Sequence, residues 1–382
     1  MTLDRLRRSD SWALDPALAY LNHGAFGATP RAVLDVQSGL RAALEANPAD
    51  FYLRRLRTLL TEVRSRLATF LRTTPDSLVF VENATTGTQT ALGAVPLGPG
   101  DEVVCTDHIY PAVLVQLRRE AARRGFEVVV AHVPIEVEGP GDVAAAVIQA
   151  LGPRAKLLLV DQIASPTGLV FPIRDLAAEC RRRGITILVD GAHAPGSLEL
   201  DLDDLGVDFW TGNLHKWVCS PKSAAVLYAA PDRRADLHPL VASHDHDAGY
   251  QPGFDWTGTR DPTALLSAPA AIDLFAAAGW PEVRRHNAEL AGRGAALVAD
   301  RFGAAVPFPD PDLTAGMRLV ALPRELDADE ARSLERRLLD EYAVVVPVMF
   351  FQGWRWVRVS GQLYNTLDDY RRLADALEAC LA

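Results

Sequence analysis

Of the 39 basic residues in this chain only three are lysine, Lys156, Lys216 and Lys222. Arginine serves nearly everywhere that a positive charge suffices. A lysine that persists against this bias is a candidate for work a guanidinium cannot do. Imine chemistry is such work, because it needs an amine that can lose its proton, whereas arginine stays protonated. Lys216 stands in Thr211-Gly212-Asn213-Leu214-His215-Lys216-Trp217, a run of small, polar and aromatic residues after Val207–Trp210. An amine partly buried in such a loop has its pKa lowered, as imine exchange requires.

A second chemical residue lies upstream. Asp190 follows the apolar run Thr186–Val189 and opens Asp190-Gly191-Ala192-His193-Ala194-Pro195-Gly196. A carboxylate at the end of a buried strand is costly unless a cation faces it. A protonated pyridine nitrogen is such a cation, and that charge pair makes pyridoxal 5′-phosphate (PLP) an electron sink. Taken singly, Asp190 is equally a cap for the next turn. Further upstream, Leu78–Val81 leads into Glu82-Asn83-Ala84-Thr85-Thr86-Gly87. Small and hydroxyl residues at a strand-to-helix turn leave backbone N–H groups that suit a phosphate, or a plain N-cap. Lys156–Val160 leads into Asp161-Gln162-Ile163-Ala164-Ser165-Pro166-Thr167-Gly168, which by itself reads only as a polar loop.

These loops need a scaffold, and the periodicity supplies one. Short, near-continuous apolar runs at Leu78–Val81, Glu102–Cys105, Glu127–Val130, Lys156–Val160, Thr186–Val189 and Ser223–Tyr228 read as strands covered on both faces. Helices read between them at Thr86–Ala94, Pro111–Arg124, Gly141–Leu151 and Pro172–Arg183, after two earlier ones at Pro30–Ala46 and Ala49–Leu71. Such alternation implies a largely parallel sheet, whose ligands bind beyond the strands' carboxyl ends. A polar stretch from His238 to Pro262 interrupts the pattern. Then come a long helical region, Pro262–Phe302, a strand near Met317–Leu322 and a helix at Ala328–Tyr342. Strands follow near Val344–Pro347 and Trp354–Val359, and a last helix starts near Thr366. The expected division is an N-terminal segment 1–20 packing with the small domain, a large domain 21–262 and a smaller α+β domain 263–382.

Composition narrows the partners. A formal net charge of −10 argues against nucleic acid or an anionic membrane. No apolar run approaches a span of roughly 20 residues, and Met1 to Asp10 lacks the apolar core of a signal peptide. Cys105, Cys180, Cys219 and Cys380 are widely spaced and form no CxxC pair, which fits reduced thiols in a cytoplasmic protein. There is no GxGxxG fingerprint and no internal repeat. His244-Asp245-His246-Asp247 raises a metal-dependent hydrolase as a rival, although it sits in the irregular stretch between domains.

The order of these motifs resembles the class V aminotransferase family of fold-type I PLP enzymes, and within it the isopenicillin N epimerase-like branch. Cysteine desulfurases look like more distant relatives. The matching text spans nearly the whole chain. It is Leu21-Asn22-His23-Gly24-Ala25-Phe26-Gly27, Asn83-Ala84-Thr85, Val189 to Ala194, Thr211 to Trp217, Trp256-Thr257-Gly258-Thr259-Arg260-Asp261, and Arg358-Val359-Ser360 with Tyr364-Asn365-Thr366. The resemblance implies an α/β fold, with a mainly parallel seven-stranded-type sheet and a smaller C-terminal α+β domain. It implies that Lys216 holds PLP and that Asp190 pairs with its pyridinium. Thr85 and the Ala84 backbone would hold the phosphate, joined by Asn213 and His215. His193 and Ser165 would lie near the ring hydroxyl, and Tyr110 would stack on the ring where relatives carry histidine. Thr259 would reach a neighbouring subunit's phosphate, which implies a homodimer with shared sites. Arg358 would grip the carboxylate of an amino-acid-like substrate, with His23 and Asn22 near it.

Which bond at Cα reacts is left open by the residues. A persulfide-forming desulfurase needs a mobile cysteine in the C-terminal half, and Cys380 stands at the extreme end. The expectation is β-elimination, a C–S lyase reaction on a cysteine-conjugated or modified amino acid in specialised metabolism. Epimerisation, transamination and decarboxylating oxidative deamination are the alternatives, and a non-catalytic PLP-binding protein is a further one.

Overall fold

In the computed structural model, which describes residues 2–381, the apolar runs assemble into one large sheet. Strand β1 (Ala19–Tyr20) and helices Arg31–Ala46 and Leu56–Leu71 come first. They are followed by β2 (Leu78–Val81), β3 (Glu102–Thr106), β4 (Glu127–Ala131), β5 (Ala155–Asp161), β6 (Thr186–Asp190), β7 (Phe209–Asn213) and β8 (Ala225–Ala229). The seven strands β2 to β8 lie in the order β2-β8-β7-β6-β5-β3-β4. Pairing is parallel from β4 across to β7, and β8 runs antiparallel to both of its neighbours. Leu157, Leu158, Leu159 and Val160 are all buried, because helices cover both faces of the sheet.

The crossovers bring the carboxyl ends of β3, β5, β6 and β7 to one edge. There Asp161, the last residue of β5, is in register with Asp190, the last of β6, and Asp190 is in register with Thr211 of β7. The loop carrying Lys216 leaves β7 on that edge.

The C-terminal part contains β9 (Met317–Ala321), β10 (Val344–Val345), β11 (Val348–Phe351) and β12 (Trp354–Ser360). β11, β12 and β9 form an antiparallel sheet in that order, and β1 pairs in parallel with β10. Ala19 and Leu21 accordingly share an apolar cluster with Val320, Val357, Val359, Tyr370 and Leu373.

Three details depart from the sequence reading. The helical region Pro262–Phe302 is broken into Thr263–Leu266, Ala268–Ala276 and Trp280–Phe302, with a bend of 83° before the last piece. Gly279, at φ +88°, ends one helix and Pro281 sits in the first turn of the next. Leu265, Leu266, Ala268, Ala271 and Ile272 pack in the same cluster as Leu60, Leu67 and Phe80, so packing carries Thr263–Ala276 with the large sheet and not with the C-terminal part. Helix Ala49–Leu71 is interrupted by a wide π-helical segment, Phe51–Arg55. No single helix among the described residues is long and apolar enough to cross a membrane.

Candidate active site

The loop after β7 turns sharply. The Leu214 N–H donates to Ala224 O (2.9 Å), the Cys219 N–H donates to Lys216 O (3.0 Å), and Cys219 adopts φ +61°. This turn aims the half-buried Lys216 at the β6 loop, where its Nζ lies 3.0 Å from His193 Nε2. The Trp217 indole N–H reaches His193 Nδ1 at 3.4 Å. Desolvation pushes the Lys216 amine down to about 8, helped by Arg358, while Asp190 and Asp161 oppose the shift. His193 is 1% exposed, and burial together with Lys216 holds its ring well below the usual histidine range.

Asp190 is buried, and its Oδ1 accepts the Ala192 N–H at 2.9 Å. Burial raises its pKa, and the Ala192 bond and Lys216 oppose that. Beside it Asp161, which the sequence showed only as the start of a loop, is equally buried, with Oδ2 lacking any partner. The signal that finds it is the one that finds Asp190: a carboxylate ending a buried strand.

At the turn after β2, Asn83 caps helix Ala84–Ala94 by accepting the Thr86 N–H at 2.9 Å. The Ala84 N–H is already committed to Asn213 Oδ1, at 2.8 Å. Both residues therefore build the phosphate turn instead of offering free groups to it, a correction to their expected roles. Among first-turn donors, Gly87 donates to Asn83 O, which leaves Thr85 with its N–H and hydroxyl for an anion. His215 Nδ1 bonds Ala224 O at 3.1 Å, and burial pulls the ring down to about 4.

Arg358 reaches this edge from β12. It is 3% exposed, donates to Ser165 O and, at 3.3 Å, to Asn22 Oδ1, and its Nε has no partner. Burial lowers it to about 10, so it remains a cation at neutral pH, with Tyr110 close enough to favour that charge. Asn22 and Ser165 thus orient the guanidinium. Tyr110 precedes helix Pro111–Arg124 and is 38% exposed.

His23 is not a substrate contact. It is fully buried beneath the lysine loop; its Nε2 meets Lys216 O at 3.1 Å and its Nδ1 meets the Tyr364 hydroxyl at 2.9 Å. Thr259 stands apart on an exposed turn, next to Arg260, which pairs with Glu82 at 2.6 Å. Among the described residues no three His, Cys, Asp or Glu side chains gather as metal ligands, and His244 and His246 belong to no such group.

The donor set fits PLP. It comprises an amine with a lowered pKa, a buried carboxylate without a guanidinium partner, a helix start with unused donors and a buried guanidinium with an orphaned nitrogen. With the seven-stranded sheet, these features define a PLP-dependent enzyme of fold type I. The chain belongs to the class V aminotransferase family, whose model, "Aminotransferase class-V", matches residues 19–311. It is 34% identical to an isopenicillin N epimerase of Streptomyces clavuligerus, covering 96% of each chain. It is 30% identical to a putative L-cysteine desulfhydrase 1 of Oryza sativa subsp. japonica, over 96% of this chain and 84% of that one. Its fold is similar to the cystine C-S lyase C-DES in complex with cysteine persulfide, with a TM-score of 0.82 and 22% identity, covering 94% and 97% of the two chains.

Proposed function

We propose that this enzyme binds an amino acid through its α-carboxylate at Arg358, removes the Cα proton with Lys216 and expels a sulfur leaving group from Cβ. The substrate would be a cysteine conjugate or a modified amino acid of specialised metabolism. The observation that carries the reading is the buried Arg358 guanidinium, which meets only neutral acceptors and leaves Nε without a partner. A substrate carboxylate supplies the missing charge and the missing bond together.

PLP, when bound, supplies a carbonyl that condenses with amines and a ring that takes up the electron pair left at Cα. The chain's residues do the rest. Arg358 fixes the carboxylate. Lys216, with its amine pushed down to about 8, serves as the base near neutral pH. As the Cα–H bond breaks, that electron pair forms the Cα–Cβ double bond, and the Cβ–S bond gives up its pair to sulfur. The thiolate then takes a proton. Water completes the release of a 2-oxo acid and ammonia.

Relatives named as L-cysteine desulfhydrases support this choice. So does the inventory of acid–base groups. Inversion needs proton carriers on two faces, whereas His193 is engaged with the Lys216 nitrogen itself and His23 is committed beneath the loop. Persulfide transfer finds no support in the cysteines. Cys219 is fully buried and its thiol is pushed strongly upward, and Cys380 lies on the last helix, Leu367–Leu381.

The test is to incubate the holoenzyme with a set of cysteine S-conjugates and assay thiol, 2-oxo acid and ammonia. Stoichiometric release of all three supports elimination. Inversion at Cα without thiol release favours the epimerase reading, which the 34% identity to isopenicillin N epimerases motivates. A 2-oxo acid formed without thiol favours transamination. We further infer a cytoplasmic homodimer in which Thr259 serves the neighbouring subunit's phosphate site. Sedimentation as a monomer, or unchanged PLP affinity in Thr259→Ala, counts against it.

A further inference from the structure

Asp161 ends β5 as Asp190 ends β6, and the two are in register across a parallel pair. Residues so paired project to the same face from strands about 5 Å apart. Both are nearly inaccessible, at 2% and 3% exposure. They differ in their hydrogen bonding. Asp190 accepts the Ala192 N–H at 2.9 Å, which favours the ionised form. Oδ2 of Asp161 is buried with no partner, an oxygen on which a proton can sit. The groups facing Asp161 are Asp190 on β6, Lys216 from the loop after β7 and the Cys105 thiol on β3, with Arg358 acting on Lys216 from β12. One amine cannot neutralise two buried carboxylates. Burial and Asp190 push Asp161 well above the usual carboxylate range, and the Cys105 thiol, pushed up to about 12, adds no charge.

We propose that Asp161 carries a proton at neutral pH and stands as a neutral neighbour to the ionised Asp190, so that the two carboxyls present a single negative charge to the ring nitrogen of PLP. Asp161 is a positioning residue, acting through Asp190 and not on the substrate. The proposal rests on reading Asp190 as the partner of that nitrogen. It has a consequence for Lys216: an ionised Asp161 would hold the amine protonated, and a neutral one releases it.

The test uses the holoenzyme and two variants, Asp161→Asn and Asp190→Asn. Infrared spectra at neutral pH should show the carbonyl stretch of a protonated carboxylic acid, lost in Asp161→Asn and kept in Asp190→Asn. In a pH titration of the cofactor's visible band, Asp161→Asn should leave the midpoint within a few tenths of a unit, because one neutral group replaces another. A band absent from the wild type, or a midpoint lowered by about one unit or more in Asp161→Asn, as loss of a nearby charge demands, overturns the proposal. If Asp190→Asn leaves cofactor affinity and the visible band unchanged, the assignment of Asp190 fails instead. Should Asp161→Asn not fold, the wild-type infrared titration decides alone: a protonated carboxyl persisting through neutral pH supports the proposal, and its absence overturns it.

Discussion

The Lys216 amine and the His193 ring meet at 3.0 Å, and a third side chain settles which of them owns the proton. The Trp217 indole can only donate, and it points at His193 Nδ1. A neutral His193 therefore carries its proton on Nε2 and offers it to Lys216, which must accept as a free amine. Cofactor attachment needs that free amine. Because the Lys216 pKa is lowered to about 8, the deprotonated fraction rises as pH passes through about 8 instead of the ordinary lysine range. The rate at which apoenzyme takes up PLP should rise with the same midpoint. In His193→Ala the midpoint should move upward, since a donor to the neutral amine is lost. Stopped-flow reconstitution across pH measures both, and an unmoved midpoint in His193→Ala would sink the tuning role.

Arg358 is the residue whose loss should separate binding from chemistry. Each charge-assisted hydrogen bond lost to a carboxylate costs about 1.5–3 kcal/mol. Arg358→Leu should raise KM on the order of 10–100-fold or more, with a smaller fall in kcat. Arg358→Lys should recover only part of this, because an ammonium cannot reproduce the fork. The control is the amine lacking the α-carboxylate. Wild type should discriminate strongly against it and Arg358→Leu hardly at all, as steady-state kinetics would show.

Asn213 tests the cofactor end of the site. Its Oδ1 holds the Ala84 N–H at 2.8 Å and so sets the shape of the phosphate turn. Asn213→Ala leaves that buried donor unpaired, a loss of roughly 1–3 kcal/mol. PLP affinity measured by equilibrium dialysis should fall about fivefold or more, with the Lys216-dependent visible band retained. A variant that loses the band but keeps its affinity would contradict this assignment.

Much of this arrangement was legible before any coordinates. The strands of the large sheet are apolar on both faces, so their runs stand out, and each chemical residue follows a strand end. Lys216, Asp190, His193 and Arg358 could be named on that ground. Asp161 could not, because a carboxylate after an apolar run reads as the start of a loop until its register with Asp190 is known. The burial of His23 depends on residues 23, 216 and 364 meeting, which periodicity does not encode. The hairpin turn at Gln352 is a similar case. Gln352 takes φ +45° and ties the small sheet to the large one through Val133 O (2.8 Å), Asp107 Oδ2 (3.0 Å) and the Ile135 N–H (3.1 Å). Local sequence announces neither partner.

The loop Asn22–Gly27 offers the last prediction, because it braces the lysine loop from below. A Cβ at Gly27 would meet Lys216 O, and would lie 2.6 Å from His215 O and 2.8 Å from Lys216 Cα. These are backbone atoms, which cannot swing aside as a side-chain tip can. Gly27→Ala must therefore push the two loops apart, straining the contact of His23 with Lys216 O at 3.1 Å and the bond from Lys222 to Gly27 O. Overpacking of this kind costs about 1–3 kcal/mol, and the displaced Lys216 should bind PLP more weakly. The matched control is Gly39→Ala, in the exposed middle of helix Arg31–Ala46 with nothing near its added methyl. That change should stabilise by about 0.5–1 kcal/mol through helix propensity. Thermal unfolding of both apoenzymes and PLP titration of both proteins make the comparison. A Gly27→Ala protein as stable and as cofactor-competent as Gly39→Ala would show that this loop does not set the position of Lys216.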